Sequence, residues 1–332
     1  MSFNPVLLHL RRGGIVESVH RGAYAIVHGE QPVESRGDVD RPVYPRSALK
    51  PFQALPLILS GAADRFGLTD QELTIAAASH NGTGQHLDAV RSLMAKADLR
   101  VEHLQCGAHP PTCSAARREM ITRGEEPTAL HNNCSGKHAG MLLLARHLGA
   151  PLETYLEPEN PVQKLILETI ADLTRTPKAS IHAGCDGCNA PTFALPIAKM
   201  ALGYQRLSDP SGPVEYRRLV TAIQSHPILI AGEGRFCTAL LASAPGRFLP
   251  KSGAEGFYAL GVPERRLAIA IKIDDGQERG YTPVIVSLLE RLGLLSSEER
   301  ARLGRFGRSD IRNWRGNEVG DQIVAELEAE AS

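Results

Sequence analysis

Two stretches near the start of the chain run apolar or alternate, Val6–Leu10 and Ala23–Val27, and Gly13, Gly14 and Gly22 separate them. Glycine-bounded apolar runs of this length predict strands. The pattern then changes period. Leu49, Phe52, Leu55 and Ile58 follow Ser47 at the three-residue spacing of one helix face. Pro51 and Pro56 confine that helix to short pieces, because proline is tolerated in a first turn and not inside. Thr69-x-x-Glu72 has the form of a capping box that opens a helical turn, and Leu73–Ser79 reads as a buried segment ending in a His-Asn-Gly turn. Helical periodicity dominates at about Gly84–Ala97, Gly136–Leu148, Pro161–Leu173 and Pro213–Ser225. Arg266–Ile273 has the β-branched content of a core strand, while Tyr281–Leu292 and Glu318–Ala331 read as late helices.

Strands open the chain, helices fill its middle and strand returns near residue 266. That order predicts an α+β fold. Its antiparallel sheet is expected from about 1–45 and 250–290, with a helical lobe from about 50–230, as a single unit spanning 1–332. No internal repeat or long Gly/Ser linker divides the 332 residues. Composition adds exclusions. Thirty-seven basic residues balance thirty-seven acidic ones without a basic stripe, which argues against a nucleic-acid partner. No apolar run has the length of a membrane span. The opening Met-Ser-Phe-Asn-Pro-Val has no basic region ahead of an apolar stretch, so the expected compartment is the cytoplasm.

Chemistry enters with Ser47-Ala-Leu-Lys50, the one Ser-x-x-Lys in the chain, followed in order by Ser79-His-Asn81 and Lys251-Ser-Gly253. On a helix, Ser47 and Lys50 lie one turn apart on one face, within reach for the amine to accept the hydroxyl proton. A lysine base must be neutral against an ordinary pKa of about 10.4, and burial beside a second positive charge lowers it. Lys251 supplies a candidate for that charge, Ser79 a proton relay between the amines, and Asn81 a donor to substrate. A single Ser-x-x-Lys arises by chance about once in a chain of this size. The ordered trio is more informative, because the serine penicillin-recognising fold uses this order.

Metal-capable side chains concentrate in His131-Asn-Asn-Cys134-Ser-Gly-Lys137-His138 and His182-Ala-Gly-Cys185-Asp186-Gly-Cys188. Thiolate and imidazole suit zinc, but a second Cys-x-x-Cys is missing, so the pattern is not that of a standard structural zinc site. Buried inert thiols are the competing reading of these cysteines, and a redox Cys-x-x-Cys a further one. Read without reference to any known family, His138 or Cys185 is the favoured metal ligand.

Taken together, Arg46-Ser-Ala-Leu-Lys-Pro-Phe-Gln53, Ser79-His-Asn-Gly82, His131–His138, Gly184-Cys-Asp-Gly-Cys188 and Lys251-Ser-Gly-Ala-Glu-Gly256 resemble the rhizobial-type L-asparaginases, the asparaginase II family. The resemblance spans about residues 5–320. It implies a fold similar to serine β-lactamases and glutaminases, a homodimer, and hydrolysis of L-asparagine through a serine acyl-enzyme. It implies two tandems, Ser47 with Lys50 and Ser79 with Lys251, and a zinc ion held by Cys134, Lys137 and Cys188. Arg46, His80, Asn81, His138 and Asp186 are the expected substrate contacts, the arginine for an α-carboxylate and the aspartate for an α-ammonium. Arg46 as a structural ion-pair partner and Asp186 as a turn residue are the plainer alternatives. A glutaminase, a penicillin-recognising hydrolase and a zinc-stabilised amino-acid-binding protein are the competing functions.

Overall fold

The computed structural model describes residues 4–325. Eleven strands occur among these residues: β1 (Val6–Arg12), β2 (Ile15–His28), β3 (Gln31–Arg36), β4 (Pro42–Val43), β5 (His182–Cys185), β6 (Pro191–Pro196), β7 (Leu249–Ser252), β8 (Phe257–Val262), β9 (Leu267–Ile273), β10 (Asp310–Arg312) and β11 (Glu318–Val324). Eight of them form an antiparallel sheet in the order β10-β11-β1-β2-β9-β8-β7, with β3 also paired to β2. The expected α+β class is observed, and both chain ends supply the sheet.

The two faces of that sheet differ in size of side chain, and this decides what packs where. Residues opposite one another across antiparallel strands share a face. Ala25, Ala270 and Ala259 form one such row, and Ala268 with Gly261 the next. On the opposite face Tyr24, Ile271 and Tyr258 align, followed by Ile26, Ile269 and Leu260. The helix Ile197–Ser208 lies so close to the small face that a Cβ on Gly261 would stand 2.3 Å from Ser208 Oγ. The helix Glu278–Arg291 covers the large face, where Tyr281 stacks on Tyr258 at 5.0 Å. With both faces covered, β8 and β9 are buried almost throughout, which is why they read as continuous apolar runs rather than alternation.

Most predicted elements are present. The Thr69–Glu72 capping box forms and opens the helix Asp70–Ala76, which makes the first part of the expected buried segment helical. Three expectations change. Glu318–Ala331 is not a helix: Glu318–Val324 is the strand β11, paired to β1 with Leu8 opposite Val324, and residues 326–331 lie outside the described residues. The β-branched Val319, Ile323 and Val324 favour the strand, Gly320 lets it approach Arg11 O, from which a Cβ would stand 2.1 Å, and Arg11 fixes its register by an ion pair to Asp321 at 2.5 Å. The sheet therefore extends beyond 250–290 to include β10 and β11. Apart from that sheet, β4, ahead of the middle lobe, pairs with β6 and β6 with β5 in a small second sheet that periodicity did not reveal. No helix among the described residues is long and apolar enough to cross a membrane.

Candidate active site

Three elements far apart in sequence converge on one hydroxyl. Lys50 opens the helix Lys50–Ala54, Ser79 follows the helix Asp70–Ala76 in extended chain, and Lys251 sits in β7. Ser79 is anchored by its amide, which donates to Ile230 O at 3.0 Å. Its Oγ lies 2.8 Å from Lys50 Nζ and 2.9 Å from Lys251 Nζ. Lys50 also donates to Ala78 O at 2.6 Å and Asn133 O at 3.3 Å, while Lys251 donates to Ser252 O at 2.9 Å. Lys50 thus has an acceptor for each of three ammonium hydrogens. Both amines are buried, 1% and 0% exposed, and neither has a carboxylate partner among the described residues. Burial, then the charge of Lys50, pushes Lys251 down to about 7; Arg235 adds to the effect while Cys237 and Cys134 oppose it.

A hydroxyl holds one hydrogen and two lone pairs. Ser79 can therefore accept from one lysine while donating to the lone pair of the other. That assignment requires one neutral amine, and the lowered affinity of Lys251 for its proton supplies it. The relay expected of Ser79 is in place geometrically.

Ser47 stands differently. It lies in the 3-10 turn Arg46–Leu49, half-buried, with no hydrogen-bond partner for its hydroxyl among the described residues. The structure brings the Lys50 amine to Ser79 rather than to Ser47. The turn is tightly held. Arg46 has φ of 53°, a left-handed backbone unusual for a residue with a side chain and a frequent mark of functional sites. Gly253 packs beneath it, where a Cβ would stand 2.1 Å from Pro45 O. The Lys251-Ser-Gly253 fragment therefore both delivers an amine and props the Ser47 turn.

Arg46 and Asp186 pair with each other: Nε and Nη2 donate to Asp186 Oδ1 at 3.0 and 2.5 Å. The Gly187 amide donates to the same oxygen at 2.7 Å, so Asp186 is also the turn residue of the plainer reading. Opposite charges side by side next to Ser47 nevertheless offer complementary contacts to a zwitterion.

The three other expected contacts are buried and each keeps one polar atom without a partner: His80 Nδ1, Asn81 Oδ1 and His138 Nε2. His80 Nε2 lies 2.9 Å from Ser135 Oγ, whose own hydrogen goes to Leu130 O. Nε2 is then the protonated nitrogen, and the orphaned Nδ1 is an acceptor. His138 Nδ1 meets Tyr155 OH at 2.6 Å. Burial first, then nearby charges including Lys50, keeps both rings well below the ordinary imidazole range and hence neutral. Asn81 is fixed by Gly232, whose φ of 111° and missing side chain leave room for its amide, 2.2 Å from where a Cβ would be.

Behind Lys50 the two thiols meet a third lysine. Lys137 Nζ donates to Cys188 Sγ at 3.1 Å, and Cys134 Sγ lies 3.1 Å from the Asn133 side-chain amide. Cys188, then the charges of Lys50 and Lys137, hold Cys134 well below the ordinary thiol range, and Cys134 in turn raises Cys188. Burial alone would depress Lys137, but the two sulfurs outweigh it and raise its affinity for the proton. Two sulfurs and an amine nitrogen thus converge, all buried, and Cys185 stays exposed and apart. No group of three or more His, Cys, Asp or Glu among the described residues is arranged for a metal, so a site here depends on the lysine.

Asn133 escaped the sequence reading. Its carbonyl accepts from both Lys50 Nζ and the His80 amide, and its side chain touches Cys134. The signal was present in the run His131-Asn-Asn-Cys134, but a backbone carbonyl leaves no mark on composition.

The family described as L-asparaginase II matches residues 8–324. No curated protein matches the chain. Among solved structures, a candidate beta-lactamase from Bacteroides dorei DSM 17855 is 12% identical, over 81% of this chain and 92% of that one, with a TM-score of 0.47. A beta-lactamase from Mycobacterium bovis is 14% identical over 81% and 94%, with a TM-score of 0.41. The protein Mglu is 15% identical over 82% and 67%, with a TM-score of 0.38.

The depressed proton affinity of Lys251 has a consequence for stability. Between about pH 7 and the ordinary lysine range, the unfolded chain carries a proton there that the folded chain lacks, so stability rises with pH across that window. Lys251→Met removes the group and is expected to flatten that rise, as urea unfolding of both proteins at about pH 7 and about pH 9.5 measures. Equal pH slopes for the two would contradict a proton-poor Lys251.

Proposed function

Because the chain belongs to the L-asparaginase II family, we propose that it hydrolyses L-asparagine to L-aspartate and ammonia through a serine acyl-enzyme. The observation that carries this reading is the Ser79 hydroxyl bridging two buried lysine amines. Such a bridge moves a proton between amines without a carboxylate.

In the proposed sequence, Arg46 and Asp186 hold the α-carboxylate and α-ammonium, which points the side-chain carboxamide at Ser47. Lys50 passes a proton to Ser79 as Ser79 gives its own to Lys251, and Lys50 becomes a neutral base. Ser47 Oγ then bonds to the carboxamide carbon while its proton goes to Lys50. The C–N bond breaks, and ammonia leaves with a proton returned through the same chain. Water, deprotonated by the freed amine, attacks the aspartyl ester and releases aspartate. Lys50 must turn from its carbonyl acceptors to meet Ser47; such contacts are commonly looser before substrate binds. A second reading is favoured by one observation, the direct bond of Ser79 to a lysine whose affinity sits near 7: there Ser79 is acylated with Lys251 as base.

Zinc belongs to the same proposal. Cys134, Lys137 and Cys188 fit it, since two soft sulfurs and a nitrogen already lie together in a buried site. Bound there, zinc would supply a fixed positive charge that orients the site beside the serines.

Ser47→Ala is expected to cut kcat for ammonia release from L-asparagine by about three orders of magnitude or more, with Ser79→Ala also impaired. Mass mapping of a trapped aspartyl ester assigns the nucleophile: a modified peptide containing Ser47 supports the first reading, and one containing Ser79 the second. Full turnover in Ser47→Ala would remove Ser47 from the chemistry. For zinc, Lys137 and the thiol pair each hold a proton that a metal must displace. Titration calorimetry in buffers of different ionisation enthalpy is expected to give about two protons released per zinc bound, and none in Cys134→Ser/Cys188→Ser. Unchanged zinc binding in that double variant would place the metal elsewhere.

A further inference from the structure

A cleft of about 400 Å³ opens between the first turn of the helix Glu278–Arg291, the loop at Gly234–Arg235, the turn Gly304–Gly307 and the strands β10 and β11. Four arginines line it, Arg235, Arg279, Arg305 and Arg308. None of the four has an ion-pair partner among the described residues, whereas Arg247, Arg291, Arg300 and Arg302 in the same region are each paired to a glutamate. Two carboxylates share the wall, Glu278 and Asp310, and Asp310 is committed to Arg312.

Two of these arginines are held in place by acceptors other than a carboxylate, which orient the cation. Arg279 Nε donates to His20 Nε2 at 3.0 Å, and His20 Nδ1 is in turn fixed by Asp275 at 2.5 Å. Arg305 donates to Gly234 O at 2.7 Å and lies over the Phe306 ring at 4.9 Å. Oriented guanidiniums that outnumber the carboxylates around a concave space are what recognition of carboxylate or phosphate oxygens requires.

The cleft is also wired to the lysines. Arg235 immediately precedes the helix Phe236–Ser243. Phe236 packs on the cleft residue Phe306 at 5.3 Å and on Tyr258 of β8 at 5.1 Å. Cys237 Sγ accepts the Ser252 amide at 3.2 Å, and Ser252 O accepts from Lys251. We propose that the cleft binds a small multivalent oxyanion, and that its occupant modulates the Ser79 site through Arg235 and the helix Phe236–Ser243. The modulation rests on the amide-hydrolase reading; the binding does not. Its direction follows from charge. Burial lowers the proton affinity of Lys251 most; the charged and titratable groups acting on it are then Lys50, Cys237, Arg235 and Cys134, of which Arg235 acts to lower it. An anion that cancels the charge of Arg235 favours protonated Lys251 and slows turnover near neutral pH.

Calorimetry with inorganic phosphate and with succinate, at about 0.15 M NaCl to screen loose surface attraction, separates the two sources of oxyanion. One-to-one binding of at least one of them is expected, weakened about ten-fold or more in Arg308→Glu and Arg308→Ala. Arg308 is exposed and has no partner, so its replacement leaves the fold in place. Arg46→Gln, which removes the carboxylate-holding cation of the proposed substrate site, is expected to bind as tightly as wild type, which separates the cleft from that site. The bound anion is further expected to move the acid limb of the asparagine pH–rate profile to higher pH in wild type but not in Arg308→Glu. No saturable binding of either anion, or equal binding in the Arg308 variants, would overturn the site. Binding with an unmoved profile in an active enzyme would overturn its modulating role.

Discussion

Two lysine amines meet at one serine hydroxyl in the interior, without a carboxylate to neutralise them. Nζ to Oγ distances of 2.8 and 2.9 Å put the amines within about 6 Å of each other. At an effective dielectric of about 20, two unit charges at that separation repel by about 3 kcal/mol, or about two pKa units. Burial adds a larger penalty in the same direction. Two ammoniums side by side are therefore disfavoured, and the Ser79 hydroxyl lies between the two amines, within hydrogen-bond reach of both. Much of the surrounding structure serves to hold this arrangement: the capped helix Asp70–Ala76 that delivers Ser79, the carbonyls of Ala78 and Asn133 on Lys50, and β7 beneath the Ser47 turn.

The sheet makes that convergence possible. Lys251 can be wholly buried because β7 runs beside β8 in a sheet covered on both faces. The small face of Ala25, Ala259, Ala268, Ala270 and Gly261 lets the helix Ile197–Ser208 approach closely, and Tyr204 on that helix in turn bonds Ala48 O, between Ser47 and Lys50. A strand on one side and a helix on the other thus clamp the turn that carries Ser47.

How far this was legible in the sequence depends on the kind of interaction. Helices with a strong apolar face, such as Pro161–Thr174 and Val214–Ser225, were found within a residue or two because their period is local. Lys50, Ser79 and Lys251 were legible as an ordered trio of short fragments. The strand β11 was missed because its charged residues run on into the Ala/Glu-rich helical pattern of 325–331, and only pairing with β1, more than 300 residues earlier, makes it a strand. β5 and β6 were hidden by the same lack of local period. The shared use of Ser79 by both lysines was expected as a relay, but the turning of Lys50 away from Ser47 was not. It depends on the carbonyls of Ala78 and Asn133, and a backbone oxygen carries no residue label. The mutual pairing of Arg46 and Asp186 was likewise open from sequence, since either residue alone suits a substrate contact or a structural bond.

The central claim is that one of the two buried amines is neutral near physiological pH. Proton-detected NMR of the protein with ¹³Cε-labelled lysine tests it directly. One lysine Cε is expected to titrate near pH 7 and to vanish from the spectrum in Lys251→Arg. If every lysine instead titrated at or above the ordinary value of about 10.4, both amines would be charged at neutral pH and the proton relay through Ser79 would have no acceptor.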